Sequence, residues 1–178
     1  MTNKSNTNIA LIGMPGSGKS YIGKKLAKKL GYKLVELDSI LEEEYNLPLQ
    51  KILDNLGEES FLKKQAEDVI ANTQELNGLV VSPGGSIIYS DHAMEHLKKV
   101  STIIYLKTPL EIIKARIEEN SRGIVGMKNK TLEELYEERT PLYEKFASIT
   151  IDANQEAEKV VSDIAAHMID FDSLSYNL

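Results

Sequence analysis

The chain has 178 residues, a length that fits one domain with an ordinary hydrophobic core, so we expect a single domain over residues 1–178. Hydrophobic residues make up 42% of the chain and charged residues 27%, which is typical of a protein that folds in water. The net charge is −6 and the lysines are spread along the chain, whereas nucleic-acid binding usually needs a basic patch, so no nucleic-acid partner is expected.

The chain also lacks the marks of a membrane or secreted protein. No apolar run approaches the roughly 20 residues that span a bilayer, and the polar start MTNKSNTN has no apolar region of a signal peptide. There is no cysteine, which excludes a disulfide framework and a cysteine-based zinc site. We expect a cytoplasmic location and no membrane partner, and we also expect a monomer.

The first half of the chain is predicted to begin with a buried strand and a helix that Gly31 ends. In chain order, the predicted elements are a strand at 8–12, a helix at 19–31, a strand at 32–37, and helices at 39–47, 48–55 and 58–74. Asp38 can cap the amino end of the short helix at 39–47.

The second half continues the alternation of strands and helices. Its predicted elements are a strand at 78–82, a helix at 91–100, a strand at 101–107, a helix at 108–120, a loop at 121–130, a helix at 131–147, a strand at 148–152 and a helix at 154–169. Pro141 should bend or interrupt its helix, and the tail at 170–178 should fray. The alternation predicts an α/β fold with three αβα layers around a five-stranded parallel sheet.

The segment GMPGSGKS, residues 13–20, matches the phosphate-binding pattern G-x-x-x-x-G-K-[ST] in full, between a predicted strand and a predicted helix. Its three glycines let the backbone curl so that successive N–H groups point inward at a phosphate. Lys19 brings a cation to the outer phosphates, and Ser20 offers a hydroxyl to Mg²⁺. A flexible turn that matches by chance is the alternative. The two correct flanks favour a site for a nucleoside triphosphate.

A phosphate-binding loop does not by itself name a reaction. The chain lacks an N-K-x-D guanine specifier and is short for a motor ATPase. A loop with glycines and an arginine late in the chain, at about residues 121–130, suggests a lid that keeps water from a phosphoryl transfer. These features favour a kinase that acts on a small molecule.

Further motifs extend this interpretation along the chain. They are ELD at 36–38, GEESF at 57–61, VVSPGGS at 80–86, SRGIVG at 121–126, ERTPLYEKFA at 138–147 and TIDANQ at 150–155. With the phosphate-binding loop, they make the chain similar to shikimate kinases over about residues 8–168. The resemblance implies a nucleoside monophosphate kinase-like P-loop fold with a lid. It also implies transfer of the ATP γ-phosphate to the 3-hydroxyl of shikimate, with Mg²⁺, in aromatic amino acid biosynthesis.

The resemblance also implies roles for two carboxylates at the end of the second strand. Glu36 would help to hold Mg²⁺ through water, and Asp38 would contact the substrate hydroxyl as the candidate base. A carboxylate at the carboxyl edge of a parallel sheet lies where ligands bind. A plain helix cap is the alternative for Asp38.

The remaining implied residues lie around the acceptor and the lid. Gly84 and Gly85 would approach the substrate, Arg139 would bind its carboxylate, and Arg122 would swing over the transferring phosphoryl group. The alternatives are an ordinary turn for the glycines, a surface arginine for Arg122, and a salt bridge to Glu137 or Glu138 for Arg139. Lys19, Asp38 and Arg122 would then be the catalytic residues.

At the nucleotide, Arg116 would stack on the adenine opposite the TIDANQ loop, unless it pairs with Glu111 or Glu119 along its own helix. The residues expected to bind ATP are Gly13, Pro15, Gly16, Ser17, Gly18, Lys19, Ser20, Tyr21, Arg116, Arg122 and Asn154. All three arginines of the chain therefore fall on positions that would face a ligand.

Four positions depart from the shikimate kinase pattern. Leu62 and Gln65 stand where the family has a carboxylate-binding arginine and a glutamate, Pro83 replaces a glycine, and Gly123 replaces the proline of the lid. Because a leucine cannot bind a carboxylate, three interpretations stay open. They are a shikimate kinase, a kinase of the same fold with a different hydroxylated acceptor, and a nucleotide-binding regulator without catalysis.

Overall fold

The computed structural model of the chain describes residues 8–74, 77–118 and 123–175. Its strands in these ranges are β1 (Asn8–Ile12), β2 (Lys33–Glu36), β3 (Leu79–Ser82), β4 (Ser101–Lys107) and β5 (Ile149–Asp152). Its α-helices there are α1 (Lys19–Leu30), α2 (Leu37–Tyr45), α3 (Leu49–Leu56), α4 (Glu58–Thr73), α5 (Asp91–Val100), α6 (Leu110–Glu118), α7 (Leu132–Phe146) and α8 (Ala157–Ser175). A short 3₁₀ turn at Ile87–Tyr89 precedes α5.

The strands form one parallel sheet in the order β2-β3-β1-β4-β5. All five residues of β1 are buried, which fits its place at the centre of the sheet. Ile9 and Leu11 pack against α1 and α8, whereas Ala10 and Ile12 belong to the core beneath α4, α5 and α7. Because successive strand residues point to opposite faces, helices cover both sides. The predicted three-layer fold with five parallel strands is confirmed.

A smaller hydrophobic cluster lies beside the main core, under α2, α3 and the start of α4. Leu41, Ile52, Leu53 and Phe61 form it together with Val125, which comes from the segment 123–130. That segment contains turns but no helix or strand. The cluster therefore ties the described part of the predicted lid to the helices that follow β2.

Three local predictions were wrong. Helix α2 begins at Leu37, so Asp38 lies inside its first turn and is not the cap, a position taken by Glu36. Helix α7 continues through Pro141 because the buried residues before and after it, Arg139 and Tyr143, pack the helix against its neighbours. Helix α8 runs to Ser175, past the point where fraying was expected. None of the described helices is both long enough and apolar enough to cross a membrane.

Candidate active site

Three segments that follow parallel strands meet at one edge of the sheet. Residues 15–20 follow β1, Asp38 lies in the first turn of α2 after β2, and residues 84–86 follow β3. All three line one cavity of about 580 Å³. Arg116 and Arg139 complete its walls. Because the carboxyl ends of parallel strands share an edge, the fold brings together residues that are far apart in the sequence.

The phosphate-binding loop is shaped by its glycines and closed by its lysine. Gly16 and Gly18 have φ angles of 81° and 93°, a region that L side chains rarely adopt. Lys19 is only 8% exposed, and its Nζ donates to the carbonyl oxygens of Gly13 and Met14, each at 2.9 Å. Helix α1 begins at this lysine, so its positive end faces the loop. The arrangement is a cradle for an anion.

Gly13 lies where the loop meets the neighbouring strand. A Cβ at this position would come within 2.9 Å of the Leu106 carbonyl oxygen and of Ser17 Oγ, closer than real Cβ contacts. Only a glycine lets the loop pack this closely against β4. Gly13 therefore shapes the loop from behind and does not line the cavity itself.

The cavity widens beyond the loop toward the residues expected to hold the nucleoside. Arg116 Nη1 donates to the Gly16 carbonyl oxygen at 2.9 Å, so in this structure it braces the loop. Tyr21 is 60% exposed at the cavity edge. Ala153 and residues 155–158 line the same end, whereas Asn154 does not. The segment after β5 thus reaches the site through the neighbours of Asn154.

The other end of the cavity is built around Gly84. A Cβ on this glycine would lie 2.2 Å from Gln65 Nε2 and 3.0 Å from Asp38 Oδ1, so both atoms line the same small space. Gln65 is 2% exposed, and its Oε1 accepts a hydrogen bond from Ser86 Oγ at 2.8 Å. The absence of a side chain at Gly84 therefore makes room for the amide and the carboxylate.

Tyr143 fixes the next residue of this turn. Its hydroxyl donates to the Gly85 carbonyl oxygen at 2.6 Å. Tyr143 is fully buried, which raises the pKa of its hydroxyl well above the usual range and keeps it a donor. Its ring stacks on Tyr105 of β4 with 5.1 Å between the centroids. Helix α7 thus holds the glycine turn in place.

Arg139 is fully buried at the same end of the cavity. Its Nε donates to the Tyr89 hydroxyl at 3.1 Å and its Nη2 to the Val125 carbonyl oxygen at 2.7 Å. Its Nη1 has no hydrogen-bond partner among the described residues, and no carboxylate of these residues pairs with the guanidinium. The salt bridge to Glu138 that the sequence left open is absent, because Glu138 pairs with Lys130 instead.

Comparison with known proteins identifies the family. The family model for shikimate kinase matches residues 15–169. The chain belongs to the shikimate kinase family. It is 37% identical to a shikimate kinase of Clostridium botulinum over 164 residues, which cover 90% of this chain and 95% of that protein. It is 32% identical to one of Vibrio cholerae over 166 residues, which cover 92% and 95%.

A solved structure from the shikimate kinase family supports the same assignment. It is the shikimate kinase from Acinetobacter baumannii in complex with shikimate, which is 29% identical, has a TM-score of 0.80 and is matched over 98% of this chain and 97% of that one. The chain is therefore an ATP-dependent kinase that phosphorylates a hydroxyl group of a small molecule.

The structure brings together most of the residues that the likeness to shikimate kinases implied, although Gly13 and Asn154 do not line the cavity. Lys19, Asp38, Arg139 and the glycine turn line one cavity, whereas Glu36 does not line it. Arg122 lies outside the described residues.

Sequence reasoning missed three contributors to the acceptor end. They are Ser86, Tyr89 and Val125, which contact Gln65 or Arg139. Each contact joins segments at least 14 residues apart in the chain, so no local pattern signals it.

Proposed function

We propose that this kinase transfers the γ-phosphate of ATP to the 3-hydroxyl of shikimate. One observation carries the proposal: the fully buried Arg139 lines the same cavity as Asp38, and its Nη1 has no hydrogen-bond partner among the described residues. A buried cation is costly unless an anion pairs with it. An acceptor that has both a hydroxyl and a carboxylate can contact Asp38 and Arg139 together. Shikimate has both groups.

The relatives support this acceptor over the alternatives. Shikimate is bound in the related structure from Acinetobacter baumannii, which is matched over nearly its whole length. The comparisons do not favour a kinase with another acceptor or a regulator without catalysis. Leu62 packs against the small hydrophobic cluster and supplies no charge, so Arg139 would bind the carboxylate without a second arginine at that position.

In the proposed mechanism, the γ-phosphate lies on the loop of residues 13–20. Asp38 orients the acceptor hydroxyl and takes its proton as the new oxygen–phosphorus bond forms, while the bond from the γ-phosphorus to the β–γ bridging oxygen breaks and ADP leaves. The transition state is loose, so positioning and neutralisation of charge supply most of the catalysis. Lys19 and Arg122 would provide positive charge at the transferring group, the second from the lid at about residues 121–130. The role of Arg122 depends on the family resemblance.

The residues at the loop also fit a Mg²⁺ ion. The Ser20 side chain is exposed where residues 15–20 line the cavity, and a hydroxyl is a ligand that Mg²⁺ accepts. Glu36 is partly buried and outside the cavity wall, so we propose that it acts through water. When bound, Mg²⁺ would neutralise charge on the phosphates. A single domain, a monomeric state and a cytoplasmic location stay predictions.

A coupled assay of ATP turnover tests the acceptor directly. The protein is given shikimate, the methyl ester of shikimate, and a panel of hydroxy acids, sugars and amino alcohols. We expect saturable turnover with shikimate, and a KM about 10- to 100-fold higher for the ester, because it loses a charge-assisted hydrogen bond.

Arg139→Ala supplies the control for that assay. In this variant shikimate and its ester should have similar KM values, because the guanidinium that would bind the carboxylate of shikimate is removed. A higher kcat/KM with another acceptor of the panel would contradict the proposal, as would equal KM values for the two compounds in the wild-type protein.

A further inference from the structure

Tyr89 makes three contacts that converge on Arg139 and its helix. It ends the 3₁₀ turn that follows the glycine turn, 50 residues before Arg139 in the chain. Its hydroxyl donates to Glu138 Oε1 at 2.6 Å and accepts from Arg139 Nε at 3.1 Å. The guanidinium carbon also lies 5.1 Å from the centroid of its ring. Arg139 therefore contacts both the hydroxyl and the ring of Tyr89.

The direction of these hydrogen bonds is fixed by chemistry. A guanidinium can only donate, so the phenol oxygen must accept from Nε and send its single proton elsewhere. Glu138 accepts the hydrogen bond from the Tyr89 hydroxyl, and Lys130 pairs with the same carboxylate. Lys130 and the Tyr89 hydroxyl lower the pKa of Glu138, so the carboxylate stays charged and available as an acceptor. The lone pair of Tyr89 is thereby held toward Arg139.

The guanidinium is then fixed on two of its three nitrogens. Tyr89 holds Nε and the Val125 carbonyl holds Nη2, which leaves Nη1 as the nitrogen without a partner among the described residues. A carboxylate in direct contact with Arg139 would have held it equally well but would have neutralised its charge. A phenol oxygen holds it without supplying a negative charge, and the carboxylate of Glu138 stays one step away.

From this geometry we propose that Tyr89 is a positioning residue for acceptor binding, which acts by aiming Arg139 Nη1 at the anionic group of the acceptor. The proposal rests on the proposed function, because it needs Arg139 to bind the acceptor. It assigns to Tyr89 no contact with ATP and no part in the proton transfer. Loss of the Tyr89 hydroxyl should therefore weaken binding of the acceptor and leave binding of ATP unchanged.

The first test is Tyr89→Phe, which keeps the ring and removes only the hydroxyl. We expect the KM for shikimate to rise about tenfold, while the KM for ATP stays within twofold and kcat within threefold. Tyr136→Phe is the matched control, since it removes a hydroxyl from α7 that bonds to the Thr108 carbonyl oxygen instead. The control should keep the KM for shikimate of the wild-type protein. An unchanged KM in Tyr89→Phe would overturn the proposal.

A double-variant cycle shows whether Tyr89 acts through Arg139. In an Arg139→Lys background the ammonium has no Nε–H for the phenol to hold, so adding Tyr89→Phe should change the KM for shikimate by less than twofold. A full tenfold effect in that background would mean that the hydroxyl acts by another route, and it would overturn the proposal.

The cycle also separates this inference from the function on which it rests. If Arg139→Lys leaves the KM for shikimate unchanged, the proposed role of Arg139 fails. If Arg139→Lys raises it strongly and Tyr89→Phe does not, only the role of Tyr89 fails. Thermal melting and binding of an ATP analogue report on folding in each variant. Should Tyr89→Phe not fold, Glu138→Ala takes its place, with an expected rise of about threefold in the KM for shikimate, and no rise would count against the proposal.

Discussion

The two ends of the cavity are built in different ways. The phosphate-binding end is made from eight consecutive residues, and its shape comes from glycine φ angles and main-chain groups. The acceptor end is made from side chains of α2, α4 and α7 and from two turns, joined by contacts such as Gln65–Ser86 and Arg139–Tyr89. A main-chain site tolerates few changes of its glycines. A side-chain site can change its specificity by single substitutions, and three of the four departures from the family pattern, at Leu62, Gln65 and Pro83, lie in or near it.

The largest effect should follow from breaking the phosphate-binding end. In Lys19→Ala, kcat should fall about 1000-fold, because a cation that faces the transferring group is removed. The KM for shikimate should change by less than about threefold if the two ends are independent. Steady-state kinetics with each substrate varied in turn measures both, and Lys24→Ala on the exposed side of α1 is the control. Near-normal turnover in Lys19→Ala would remove the kinase assignment of this loop.

The acceptor end should break with Gly84→Ala. The added Cβ would meet Gln65 Nε2 at 2.2 Å, so the amide and Asp38 must move. We expect kcat/KM for shikimate to fall about 100-fold, the effect of a small misplacement of reacting groups, while binding of an ATP analogue measured by calorimetry stays within threefold. Lys63→Ala is the control, because it is an exposed change on α4, the helix that carries Gln65. If Gly84→Ala weakened the binding of ATP as strongly as it lowered kcat/KM for shikimate, the two ends of the cavity would not be independent.

A smaller change sharpens the comparison by loosening only the helix that carries Arg139. Thr131 and Glu134 form a capping box, in which each side chain accepts a hydrogen bond from the backbone of the other. Thr131→Ala should lower the free energy of unfolding by about 1 kcal/mol and the Tm by about 2–4 °C. The KM values should stay within about twofold. Thermal melting beside Glu137→Gln, an exposed change on the same helix, tests this, and an unchanged Tm would contradict it.

The smallest effect should come from His96, which lies outside both ends of the cavity and affects only the pH dependence of stability. Burial lowers the pKa of His96 from its ordinary 6.5, and the neighbouring His92 and Lys99 lower it further. Its Nε2 lies 2.8 Å from Thr73 Oγ1, between α4 and α5. As the pH falls below about 6.5, the unfolded chain binds the proton first, so stability present at higher pH is lost. Between pH 7.5 and 5.5 the Tm of His96→Gln should therefore fall less than the Tm of the wild-type protein. An identical fall in the two proteins would refute this prediction.

The elements that depend on local patterns were predictable from the sequence. β1 and β4 have the predicted bounds because each is an apolar run between turn residues. β2 is shorter than predicted, since Leu37 reaches the core from the first turn of α2 and not from a strand. The phosphate-binding loop was predictable because its residues are consecutive.

The acceptor end was predictable only where the family resemblance reached. Asp38 and Arg139 were found through motifs, whereas Tyr89 lies in an ordinary SIIYS segment with no pattern to distinguish it. Its importance comes from a contact across 50 residues, and such a contact depends on the packing of α7 against the turn after β3. The residues around Tyr89 in the sequence do not show that it contacts Arg139.

The central place of β1 has a consequence for the synthesis of this protein. β1 leaves the ribosome before its two partners, β3 and β4, which come later in the chain. The second partner is complete only at Lys107, roughly a hundred residues and about 5–20 s of translation later. Because Gly13 packs against the Leu106 carbonyl, the nucleotide cradle cannot take its final form before then. A nascent chain released early would expose the apolar edges of NIALI, which makes truncated products of this enzyme prone to aggregate.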